Sequence, residues 1–459
     1  MIKTRPDIEK LLSLTARIVF VLGLIGIMGE FVRSEVYLRP LTWSAWLAYS
    51  LFLFLAIALS VNEETRVNLL LASLPVAMCV FIVNAWLEYS YYSAGIGQRI
   101  LTRLPDSLEI DWRTSREFFD DSRAAGEDIR MSICPSDVLR LRPGEMIALS
   151  GLPKTETLLA NELGYFATFV SDRYGFNNPD DIYDVPSTDH TVVLLGDSYT
   201  QGYAVRSGDD IASRLRARDL HAFSLGCGGN GPLAELAAYE EYGRYLQPDT
   251  VVLVYYEGND LYDLAREWNS SLRLYLDATF SQDLRQRENE RLSLLLSVAE
   301  AQLALQGTGL VHRLLTLRHV RHQLKIVVSP RRFDTEVAQF RNVIDELRTR
   351  LQRDEVSLLV VYLPHGSIMA SGRKNDCRAY PVRCKTEILS VLDEFDIRVL
   401  DFEEVLGTLD DPFSVFVYRR GDEVLGHLNS VGYETLAAAI EQELSEMEQA
   451  RISRAAQTR

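Results

Sequence analysis

A serine, an asparagine, a glycine loop and a histidine stand where they could do chemistry together. Ser198 closes the segment Thr191-Val-Val-Leu-Leu-Gly-Asp-Ser198, in which a β-prone run feeds a small turn and a helix can begin just after. A buried parallel strand that ends this way presents its last side chain at the carboxyl edge of a sheet, where open α/β folds bind ligands. The free N–H groups and positive end of a helix starting there favour a developing oxyanion. The plain alternative is a strand-to-helix turn in which Ser198 is only an N-cap.

Three further segments share that placement. The strand-like run Val251 to Tyr256 ends in Glu257-Gly258-Asn259-Asp260. The run Leu220 to Leu225 opens into Gly226-Cys227-Gly228-Gly229-Asn230-Gly231-Pro232. Near the C-terminus, Gly426-His427-Leu428-Asn429-Ser430-Val431-Gly432-Tyr433 precedes a helical pattern. A serine hydroxyl is a weak nucleophile without a base, and an imidazole titrates close to the working pH, so His427 is the candidate base for Ser198.

The order Ser, Gly, Asn, His, each at a strand end or in a loop, resembles the SGNH (GDSL-type) serine hydrolase superfamily over about residues 188 to 447. The resemblance implies a flavodoxin-like three-layer α/β/α sandwich on a parallel sheet. It also implies an oxyanion hole made of the Ser198 backbone N–H, the Gly229 N–H (with Gly228 next in line) and the Asn259 side-chain amide. Asp197 and Asp260 are read as turn supports. A third group should hold the imidazole tautomer. The family pattern places an aspartate three residues before the histidine, and that position is Val424. Asp422 is therefore taken as the triad acid, ahead of Glu423; a Ser-His dyad oriented by a backbone carbonyl is the competing arrangement.

The implied reaction is acyl transfer through an acyl-enzyme: hydrolysis of O-acyl esters, above all O-acetyl groups on glycans outside the cytoplasm. An O-acetyltransferase served by a membrane acyltransferase partner is one alternative. A non-catalytic glycan-binding or assembly protein is the other. No cofactor is expected, and with no CxxC or Cys/His cluster no metal site is expected either.

The surrounding chain must position these residues. Strand-like segments at 191–195, 220–225, 250–256, 356–363 and 395–402 alternate with helical patterns near 208–217, 231–246, 333–353, 384–394 and 431–448, which predicts a parallel sheet covered on both faces. Residues 261–330 interrupt the alternation with a charged helical pattern and read as an insertion. Residues 91–187 read as a linker and turn-rich lead-in whose short strands cover one end of a hydrolase domain at 188–450.

Residues 1–90 carry three apolar runs, at about 11–32, 41–61 and 67–87, the last two free of charge and about as long as a bilayer is thick. They predict a three-helix membrane region. Lys3, Arg5 and Lys10 favour a cytoplasmic N-terminus, which would place the hydrolase domain on the far side of the bilayer, in the periplasm of a bacterium. The formal charge of −16 over 459 residues argues against a general nucleic-acid binder. Among five cysteines, Cys377 and Cys384 are close enough in sequence for a disulfide, with two free thiols as the alternative. Cys227 either pairs with Cys134 or is a small buried residue.

Overall fold

The computed structural model describes residues 13–18, 20–21, 53–92, 110–144, 146–185, 190–305, 333–372, 375, 377, 383–420 and 423–457. Contacts divide the chain into two units. In the N-terminal unit, α1 (Glu63–Tyr92) is one long helix. Its stretch Glu63–Leu87 is the one helix among the described residues that is long and apolar enough to cross a membrane. Leu71, Val76, Met78, Phe81, Ile82, Val83 and Trp86 are exposed along it. Arg66, near its start, donates to the carbonyls of Ala58, Leu59 and Val61, capping the helical segment 53–60. The first two expected spans are described only in part, as helical segments 13–18, 20–21 and 53–60; the rest of them lies outside the described residues.

The second unit runs α2 (Ser115–Ala124), β1 (Ile129–Met131), α3 (Pro135–Leu141), β2 (Glu156–Leu158), β3 (Thr168–Val170), β4 (Thr191–Gly196), α4 (Ser198–Gln201), α5 (Ile211–Arg216), β5 (His221–Ser224), α6 (Pro232–Glu241), β6 (Thr250–Tyr256), α7 (Asp260–Glu267) and α8 (Glu288–Leu305). It continues with α9 (Asp334–Arg353), β7 (Ser357–Leu363), α10 (Gly366–Ala370), α11 (Lys385–Glu394), β8 (Arg398–Asp401), α12 (Phe402–Leu406), β9 (Phe416–Arg420), β10 (Glu423–Leu428) and α13 (Ser430–Gln457).

The central sheet has the order β5-β4-β6-β7-β8, and every pairing in it is parallel. That is the doubly wound order of flavodoxin-like folds. Alternation along the strands explains the three layers. Val193, Leu195, Val251, Leu253 and Val360 point into one apolar core with α6, α9 and α11. Val192, Leu194, Val252, Val254, Leu359 and Val361 point into another with α5 and α13. Both faces are covered, so the strands read as continuous apolar runs rather than alternating ones. Within the expected insertion, α7 and α8 are described; residues 306–332 lie outside the described residues.

The lead-in belongs to the same unit as the sheet. Its fold centres on Asp172, a fully buried carboxylate. Asp172 accepts from the N–H groups of Tyr174, Gly175 and Phe176, from Asn178 Nδ2 and from the Tyr183 hydroxyl. Asn178 then joins this turn to the sheet: Nδ2 donates to the Ser224 carbonyl, and Oδ1 accepts from the Ser224 N–H. Removing the Asp172 carboxylate would leave several buried donors without an acceptor, each costing about 1–3 kcal/mol. Asp172→Ala is expected to lower unfolding free energy by roughly 3–5 kcal/mol in denaturant titration. A loss under 1 kcal/mol would contradict this account of how the lead-in docks.

Candidate active site

Ser198 is the first residue of α4, directly after β4. Asp197 caps the turn: its Oδ1 accepts the Tyr199 N–H at 2.9 Å. Gly196 has φ +157°, and a Cβ there would overlap Thr200 Oγ1, so glycine is required. The turn leaves the Ser198 hydroxyl part-buried, with its Oγ 2.9 Å from His427 Nε2. The helix that follows has only four residues. Its dipole therefore contributes less than a full helix at the sheet edge would, and the local N–H groups are what remain for an oxyanion.

His427 lies on β10, a strand paired antiparallel with β9, not in a plain loop before the last helix. The pairing register slips between Leu425 and Leu428, and Gly426 sits at φ +79°. Such a bulge re-aims a side chain, here the imidazole, toward Ser198. The ring is flanked by Tyr199 and Tyr203, with centroids 4.7 and 4.8 Å away.

The third group is Glu162. Its Oε1 and Oε2 both lie 3.1 Å from His427 Nδ1, and Oε2 also accepts the His427 backbone N–H at 2.9 Å. This corrects the assignment of the triad acid to Asp422. Asp422 lies outside the described residues, and the position against Nδ1 is filled by a carboxylate from the lead-in. The competing arrangement, a Ser-His dyad held by a backbone carbonyl, is not what the structure shows at Nδ1, where a carboxylate makes the contact. Glu162 is 7 % exposed. Its loop is locked by Asn161, whose Nδ2 donates to the Asp111 carbonyl and whose Oδ1 accepts the Gly164 N–H. A Cβ on Gly426 would sit 2.8 Å from Glu162 Oε2, so glycine lets the carboxylate reach the imidazole. Nothing near Asn161-Glu162 in the sequence marks this role, because 265 residues separate Glu162 from His427.

The pair sets its own charge state. Burial alone would depress the His427 pKa, yet the Glu162 charge and hydrogen bond raise it above the ordinary imidazole value. Burial would raise Glu162, and the imidazolium outweighs this and holds it below the ordinary carboxylate value. A raised histidine stabilises the fold fully below its unfolded pKa, about 6.5, and less as pH rises through the folded value. A lowered glutamate does so above about 4.3, and less as pH falls through its folded value. The pair's contribution to stability is thus full between about pH 4.3 and 6.5 and declines on either side.

Gly228 lies beside the serine, where a Cβ on it would be 3.8 Å from Ser198 Cβ, whereas a Cβ on Gly229 would meet Ser136 Oγ at 3.1 Å. The Gly228 N–H is taken by Gln201 Oε1 at 2.9 Å, whereas the Gly229 N–H meets no acceptor among the described residues. Gly229 has φ +72°, which suits glycine alone. Glu267 anchors the far end of this loop, its Oε1 accepting from Gly231 N–H at 2.6 Å and Oε2 from Leu233 and Ala234 N–H. Burial pushes the Glu267 carboxyl up to about 7, against the lowering effect of those hydrogen bonds. Asn259 follows β6 at the same sheet edge, but its Nδ2 donates to Asp263 Oδ2 at 2.6 Å and its amide also meets the Asp197 carboxyl. To serve an oxyanion it must exchange one of these partners. Asp260 accepts the Tyr256 N–H, a turn support.

Cys377 and Cys384 form a disulfide. Cys134 and Cys227 are both buried free thiols beside the glycine loop, the Cys227 thiol donating to Cys134 Sγ at 2.6 Å, close enough to be joined on oxidation. Among the described residues no cluster of histidine, cysteine and carboxylates could hold a metal ion.

Glu162→Gln is expected to lower kcat by about 10²- to 10⁴-fold, as loss of a triad acid does. The acid limb of its kcat/KM profile should move to lower pH, because the charge that raises His427 is gone while burial stays. An unmoved limb with wild-type kcat would contradict the assignment. Peptide mapping without reductant, on protein from an oxidising compartment, is expected to recover Cys134 joined to Cys227. Alkylated, separate cysteines there would contradict that pairing.

No family model matches the chain, and no curated protein matches it. Solved structures to which it is similar include a lipase/acylhydrolase from Enterococcus faecalis, at 15% identity over 56% of this chain and 96% of that one, with a TM-score of 0.31. They also include a GDSL-like lipase from Bacteroides thetaiotaomicron, at 9% identity over 58% of this chain and 95% of that one, TM-score 0.31. A catalytic mutant of an acetylxylan esterase from Geobacillus stearothermophilus matches at 15% identity over 56% of this chain and 95% of that one, TM-score 0.30.

Proposed function

We propose that this chain is a serine esterase of the SGNH type that removes O-acyl groups, chiefly O-acetyl, from glycans on the far side of a membrane to which it is anchored. One observation carries the reading: Ser198 Oγ is 2.9 Å from His427 Nε2, and a buried carboxylate stands against the other imidazole nitrogen. That is the nucleophile, base and orienting acid of acyl transfer. A scaffold kept only for binding has no need of all three.

His427 Nε2 takes the Ser198 hydroxyl proton as Oγ attacks the ester carbonyl. The tetrahedral oxyanion is met by the N–H groups of Ser198 and Gly229, with Asn259 joining if its amide turns from Asp263. The imidazolium is stabilised by Glu162 and returns its proton to the departing alcohol. Water, activated by the same imidazole, then cleaves the acyl-enzyme and releases the carboxylic acid. Each oxyanion donor is worth about 2.7–4 kcal/mol in such chemistry. The exposed apolar surface of α1 supports the anchoring part of the proposal.

The test is acetate release from p-nitrophenyl acetate and from O-acetylated glycans by the full chain in detergent. Wild type is expected to release acetate into water, and Ser198→Ala to lose at least 10³-fold in kcat. Equal turnover by the variant would contradict serine chemistry. Acetate transfer only when a sugar acceptor is added would replace hydrolysis by transferase action.

A further inference from the structure

Two arginines with no carboxylate partner among the described residues, Arg285 and Arg291, line a depression separate from Ser198. This trough, of about 400 Å³, is lined by Lys154, Arg173, Tyr174, Arg285, Glu288 and Arg291. Two smaller depressions, of about 270 and 280 Å³, border this trough at Tyr174 and Arg285, and the second is also lined by Glu241 and Asp283. Arg173 is paired with Asp180 and Asp184, and Lys154 with Asp180. The Arg285 guanidinium lies over the rings of Tyr245 and Tyr174, at 4.1 and 5.6 Å from their centroids. Arg291 is 2 % exposed. Its Nη1 donates to Ser150 Oγ and the Tyr174 carbonyl, and its Nε meets no acceptor. A guanidinium buried without a counter-charge is unfavourable, and an arriving anion offsets that.

We propose that this trough binds the acid group of an acidic saccharide. Arginine forks match carboxylate and phosphate oxygens bidentately. Glu288, on the same rim, would repel a bare anion but accepts hydrogen bonds from sugar hydroxyls. Tyr245, 55 % exposed, offers an aromatic face beside the arginines. The site shares no residue with Ser198, Glu162 or His427, so it stands whether or not the esterase reading does.

Calorimetric titration of the full chain in detergent with a uronic-acid oligosaccharide tests this, beside a neutral oligosaccharide of equal length and inorganic phosphate. The uronate is expected to bind at low salt and to weaken as salt rises. Arg285→Ala, at an exposed position, should weaken it at least tenfold while leaving the thermal midpoint and p-nitrophenyl acetate turnover unchanged. Arg291→Gln should weaken it too; if that variant fails to fold, Arg285→Ala decides. No uronate binding by wild type, or unchanged binding by Arg285→Ala, overturns the proposal. Equal binding of the neutral oligosaccharide overturns recognition of the acid. Binding of phosphate without the oligosaccharide overturns recognition of the sugar.

Discussion

The contact between Glu162 and His427 is the constraint on which the site depends. A serine at the carboxyl edge of a parallel sheet becomes a nucleophile only if a base stands within hydrogen-bond reach with the correct nitrogen free. Glu162 meets both the ring Nδ1 and the backbone N–H of His427, fixing the tautomer and the path of β10 with one carboxylate. Gly426 is the concession the chain makes for that approach, with positive φ and no Cβ.

That contact explains the construction around the sheet. Glu162 comes from the segment before β4, so the lead-in must dock rigidly on the sandwich. Asp172 and Asn178 supply the docking by organising a turn and tying it to Ser224 at the end of β5. On the opposite flank, Glu267 fixes the start of α6 and with it the glycine loop. Ser198 thus sits between two loops, each held by a buried carboxylate. Both acids accept from several backbone N–H groups, which offsets part of the cost of burying them.

The five strands were legible in the sequence because each is a short apolar run bounded by turn residues, and their alternation with helices gave a parallel sheet covered on both faces, while the strand order came from the structure. Ser198 and His427 were legible because each lies at a strand end or in the segment just before the last helix, and the structure brings their side chains together. The acid was not. An aspartate near His427 was the local expectation, and Glu162 is brought there only by tertiary docking of a turn-rich segment with no periodicity. The β9–β10 hairpin was missed for a related reason: Glu423-Val-Leu looks like an insertion until Phe416–Arg420 pairs with it. The hydrogen bond from Asn259 to Asp263 was also invisible, since a residue type at a strand end does not say where its amide points. In the N-terminal unit, composition alone predicted three spans, and one long apolar helix is described.

The most direct measurement is the rate at which a fluorophosphonate labels the protein near neutral pH, with the adduct located by mass spectrometry. A single adduct on Ser198, formed rapidly in wild type and at least a hundredfold more slowly in Glu162→Gln, is the predicted result. Labelling of Ser198 at the wild-type rate in Glu162→Gln would contradict the account. So would an adduct on a different serine.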